Sequence, residues 1–99
     1  MTDEPTGMDL LSEVWVFNGA GGQFPAGVFS DLNKAETWIA KHRLSGTATL
    51  YHMDVGAYDW SIENGFFKPQ KPHHSEPDFI GRFAGGQQHH HYENGQRQA

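Results

Sequence analysis

The 99-residue sequence contains no cysteine. That excludes disulfides, thiol nucleophiles and thiolate metal sites, and it fits a reducing compartment. Long apolar runs are also missing. No stretch approaches the roughly 20 consecutive apolar residues that a membrane-spanning helix needs. Residues 1–12 hold Asp3, Glu4 and Asp9 but no lysine or arginine, so they lack the basic start of a secretory leader. A cytoplasmic protein without a membrane role is expected. Positive charge is scarce as well, with 7 Lys+Arg against 12 Asp+Glu and a net charge of -5. Such a surface releases few counterions from a polyanion, so no nucleic-acid partner is expected.

What the chain does have is aromatic side chains and glycine. Thirteen per cent of residues are Phe, Trp or Tyr, and there are 12 glycines. Large rings supply much apolar area per residue, so a modest apolar count still builds a core. The glycines point to short elements joined by turns. A flexible acidic lead is expected over 1–12, a single domain over 13–93 and a frayed tail over 94–99.

Glu13-Val14-Trp15-Val16-Phe17 is apolar on both of its alternating faces and reads as a central, covered strand. Asn18-Gly19 signals a turn, and Gly27-Val28-Phe29 reads as the return strand of a hairpin with a long tip. Leu32, Ala35, Trp38, Ile39 and Leu44 recur at helical spacing, capped by Ser30 or Asp31, with Lys41, His42 and Arg43 in the last turn. Residues 47–53 read as a third strand. Asp54 is expected to cap a short helix that ends at Gly65, with Tyr58 and Ile62 on one face. Three prolines make 68–77 a loop. "DFIGRF" (78–83) is predicted as a fourth strand, with Phe79 and Phe83 on one face. "QQHHHYEN" (87–94) is predicted to pair with it across Gly85-Gly86. The order β-β-α-β-α-β-β predicts an α+β two-layer sandwich. It has a mainly antiparallel sheet of about five strands, one long helix and one short.

Four groups of residues are candidates for function. The tip containing Asn18, Gly21, Gln23 and Phe24 is glycine-rich and follows a strand, as in a dinucleotide cradle. It lacks the later glycine that opens a phosphate-binding helix, so it reads as a hairpin tip able to meet a partner. His89 and His91 are two apart on a predicted strand and form half a zinc site. Glu93, His73 or His74 would have to complete it. Otherwise the triplet is a polar strand edge, and no cofactor is expected beyond adventitious zinc or nickel. Asp54, Asp59 and Glu63 read as a cap and solvated helix charges rather than an acid–base pair. Ser30 and Ser45 stand in no nucleophile motif. Lys68 and Lys71, beside Phe66-Phe67, are too few for a nucleic-acid patch and join the surface of a possible protein interface.

The Val-Trp-Val-Phe strand, Gly-Val-Phe-Ser before the helix, Tyr-Asp-Trp-Ser-Ile-Glu-Asn-Gly and the closing His-Tyr-Glu-Asn-Gly resemble a family of small uncharacterised bacterial proteins over roughly residues 13–95. That resemblance implies no activity or catalytic residue. The strand–turn–strand–helix–strand pattern is also similar to accessory and immunity-type proteins. The expectation is therefore a non-enzymatic protein-binding or regulatory module of immunity or inhibitor type, monomer or homodimer, with Tyr58 or Trp60 as aromatic anchors. The alternative is a small metal-dependent enzyme, or a metal-binding protein, using the histidines.

Overall fold

A computed structural model describes residues 12–99; the lead expected over 1–12 lies, apart from Ser12, outside the described residues. The described residues group into two compact units. One takes in the described residues from Ser12 to Met53 together with Gln88–Ala99, and the other is Asp54–Gln87.

The first unit is an antiparallel sheet carrying one helix. Its strands are β1 (Glu13–Gly19), β2 (Gly27–Phe29), β3 (Gly46–His52), β4 (His89–Glu93) and β5 (Gln96–Arg97), in the spatial order β2-β1-β3-β4-β5. Every neighbouring pair is antiparallel. Directly opposed residues share a face. Trp15 meets Phe29 and Leu50, Phe17 meets Ala48, and Gly46 meets Tyr92. This face packs against helix α1 (Leu32–Lys41) through Ala35 and Ile39, both fully buried. The long helix is thus observed, but it is shorter than the apolar spacing suggests. Asp31 caps its start by accepting a 2.8 Å hydrogen bond from the Lys34 amide. It stops at Lys41 because Arg43 turns to a left-handed φ of 54°.

Gly46 opens β3 where the chain can hold nothing larger. A Cβ there would run into the carbonyl oxygen of Asn18 and come within 2.8 Å of the Phe17 ring. The opposite sheet face carries Val14 beside Tyr51, Val16 between Val28 and Thr49, and the row Asn18–Thr47–His91. Val14 and Val16 are half-buried there, while Trp15 and Phe17 are buried.

Two corrections concern the C-terminal strands. The predicted pairing of "HHHYE" with "DFIGRF" does not occur, since β4 pairs with β3 instead. The expected frayed tail contains β5, which folds back on β4 so that Tyr92 faces Arg97 and Glu93 faces Gln96. The reason is local: Asn94 and Gly95 take φ values of 52° and 87°, the two-residue turn that matches strand twist.

The second unit contains helix α2 (Ala57–Glu63), a 3-10 turn (Pro72–Ser75) and helix α3 (Pro77–Gly81). Gly56, not Asp54, is the N-cap of α2, and Asp54 adopts a left-handed φ of 65°. "DFIGRF" is therefore largely helical rather than a strand. Pro77 sits in the first turn of α3, where its fixed φ suits a helix and its missing N–H costs nothing. Phe79 and Phe83, four apart, share a face in a helix just as they would in a strand, so their spacing cannot tell the two apart.

Candidate functional site

Within the second unit, Tyr58 is the hub. Its ring lies 5.9 Å from Phe67 and 5.6 Å from Phe83, and its hydroxyl donates a 2.8 Å hydrogen bond to the His74 carbonyl. Phe67 in turn lies 5.1 Å from Phe83 and 5.7 Å from Phe79. His74 lies 4.8 Å from Phe79 and accepts hydrogen bonds at Nδ1 from the Gln70 and Lys71 amides. Its pKa lies below the ordinary histidine value, first through desolvation and then through the neighbouring His73 and Lys71. A ring nitrogen that accepts two amides favours the neutral form, in line with that shift.

These rings fill only part of the space between them. A groove of about 620 Å³ is lined by Phe66, Phe67, Phe79 and Phe83, with His73, Glu76, Asp78 and Arg82 also on its walls. Phe66 is 62% exposed and stacks on Trp60 at 5.4 Å with nearly parallel rings. Aromatic walls with a few polar groups at the margin are the usual lining of a binding groove.

The expected partner-binding residues divide between the two units. Gly21, Gln23 and Phe24 are exposed at the β1–β2 tip, and Phe24 at 76% is very open for a large apolar side chain. Asn18 instead lies within β1, in the row with Thr47 and His91. That row lines a concavity of about 550 Å³ with Gly21, Ser45 and Glu93. In the second unit Lys68 and Lys71 are exposed and Trp60 is half-buried. Tyr58 is buried, and as the centre of the ring cluster it is not a surface anchor.

For the metal candidates, strand alternation acts as expected. His89 and His91 lie on one face with ring centroids 5.1 Å apart, and the Nδ1 of His91 is 3.3 Å from the Thr47 hydroxyl. His90 points the other way and stacks on Trp15 at 5.6 Å. Its pKa is lowered, chiefly by desolvation and then by the Arg97 charge. His73 and His74 have ring centroids 4.5 Å apart in the second unit. Among the described residues, no three His, Asp or Glu side chains gather as a metal-holding set.

The groove residues Phe79, Phe83, Glu76 and Asp78 were not expected as a site. The only signal for them was the four-residue spacing of Phe79 and Phe83 together with the preceding Phe66-Phe67 pair.

The sheet with its helix and the ring-lined helical unit define a small α+β protein with an aromatic groove. No helix among the described residues is long and apolar enough to cross a membrane. The chain belongs to the family described as a domain of unknown function, DUF7710, which matches residues 14–98. No curated protein and no solved structure matches the chain.

Proposed function

We propose that this chain is a protein-binding or regulatory module, and that the ring-lined groove of the second unit is where a partner segment docks. The observation that carries this reading is the groove itself. It offers four phenylalanines on its walls, one of them mostly exposed, in a unit of only 34 residues, Asp54–Gln87. Solvent-facing aromatic rings commonly anchor protein interfaces.

Phe66→Ser and Phe24→Ser are the variants that test this reading, because both side chains are exposed and their loss leaves the core intact. A partner captured by the full chain and identified is expected to bind Phe66→Ser at least fivefold more weakly. Equal binding by wild type and Phe66→Ser overturns the groove as the docking site. Weakening by Phe24→Ser alone moves the site to the β1–β2 tip.

A further inference from the structure

Resting on the docking reading above, we propose that the groove selects a basic side chain, arginine or lysine, presented by an apolar segment of the partner. Two features of the walls point to that chemistry. Phenylalanine ring faces are the negative side of an aromatic quadrupole and attract a cation that lies over them. Phe66, Phe67, Phe79 and Phe83 supply four such rings along one groove. The second feature is charge. Glu76 and Asp78 both line the groove, both are exposed, and neither takes part in an ion pair among the described residues.

Arg82 is the one arginine or lysine on these walls, and it stands four residues after Asp78. Arg82 and Asp78 form no ion pair among the described residues, although they stand one helical turn apart. Both carboxylates are then open to an incoming cation, and Glu76 is the one with no arginine or lysine four residues away. Arginine and lysine also fit the shape of the site, because their aliphatic stems cover apolar surface while the charged end reaches a polar rim. A plain apolar side chain would match the rings but leave Glu76 without a counterion, and an acidic one would bring like charge to both the ring faces and Glu76.

Three capped tripeptides, acetyl-Leu-X-Leu-amide with X as arginine, norleucine or glutamate, test the proposal by NMR titration of the full chain. The ring resonances of Phe67, Phe79 and Phe83 are the readout. The arginine peptide is expected to shift them with a Kd at least fivefold below that of the norleucine peptide, and the glutamate peptide is expected to bind weakest. In Glu76→Gln the arginine and norleucine peptides are expected to agree within twofold. Equal binding of arginine and norleucine peptides to the wild type overturns the selectivity for a basic group while leaving an apolar docking groove. Failure of all three peptides to move the rings overturns the docking reading as well. A fivefold preference that survives in Glu76→Gln, with an unchanged amide spectrum, overturns the role given to Glu76.

Discussion

Replacing Tyr92 by phenylalanine removes one oxygen atom from a junction of three elements. The Tyr92 ring is buried on β4, and its hydroxyl donates a 2.6 Å hydrogen bond to Oε2 of Glu36 on α1. The same oxygen receives Nε and Nη2 of Arg97 on β5, each at 2.6 Å. Helix, closing hairpin and sheet edge therefore meet at one carboxylate. A hydrogen bond to a charged group contributes about 1.5–3 kcal/mol when its partner is left without a substitute. The Glu36 side chain is 28% exposed, so water can replace part of what Tyr92 gives. The expected cost of Tyr92→Phe is then about 1–2 kcal/mol. For a domain of this size that lowers Tm by roughly 8 °C.

Urea unfolding of wild type, Tyr92→Phe, Glu36→Ala and the double variant measures this cost and its origin. In the Glu36→Ala background, Tyr92→Phe should cost less than about 0.5 kcal/mol, because its acceptor is already gone. An equal loss in both backgrounds would place the effect in ring packing and refute the argument. The same junction fixes a pH dependence. Burial first, and the bond to Glu36 second, push the Tyr92 pKa up to about 12. Because the folded value exceeds the unfolded one, its contribution is complete below about pH 10 and is lost as pH rises through 12. Glu36 has the opposite sign. Its pKa is lowered, chiefly by the hydrogen bond from Arg97, so its contribution holds above the ordinary carboxylate range and is lost as pH falls through the lowered value. In an alkaline absorbance titration, a tyrosine component ionising near pH 12 is expected, and Tyr92→Phe should remove it.

Gly46→Ala should destabilise the fold by about 2 kcal/mol in urea, because the added methyl meets the backbone of the adjoining strand and a core ring rather than a movable side-chain end; a stability equal to wild type would mean that the β1–β3 ladder opens freely at that rung. Zinc added to the protein should shift the ring resonances of His89 and His91 together and be removed by a single desalting step, since two imidazoles supply only half of a tetrahedral set. Stoichiometric zinc that survives desalting in the wild type and disappears in His91→Ala would show that further ligands complete the site.

Alternation and helical spacing were legible where one face of an element is buried. Trp15 and Phe17 face α1 as their two-residue period requires, and Ala35 and Ile39 fill the helix side of the same core. Turn chemistry was legible as a set of residues but not as a location. Asn-Gly occurs at 18–19, 64–65 and 94–95, with three different outcomes. At 18–19 it ends β1 and the bend comes later, at 64–65 it closes α2, and at 94–95 it makes the two-residue hairpin turn. Each pair tolerates positive φ, and tertiary contacts decide which use is made of that tolerance. The same limit hid α3. A pair of phenylalanines four apart satisfies both periods, and the proline ahead of them reads equally as a loop breaker or as a helix start.

That ambiguity also explains why the groove was missed while the histidines drew attention. Three adjacent histidines are conspicuous as letters, but a strand sends them to opposite faces. His90 goes to Trp15, and only His89 and His91 remain together. The phenylalanines are scattered across residues 66–83, and the helical turns of the second unit gather their rings onto one groove. In a strand from 78 to 83, Phe79 and Phe83 would lie about 13 Å apart along the chain. With α3 and the turn that follows it, their ring centroids are 6.1 Å apart and both reach Phe67. The compaction that comes with α3 therefore creates the candidate site. A substitution that breaks α3 without removing a groove ring, such as Ile80→Pro, which deletes the amide that bonds the Glu76 carbonyl, should abolish peptide binding to the groove while the β3–β4 amide signals of the first unit persist.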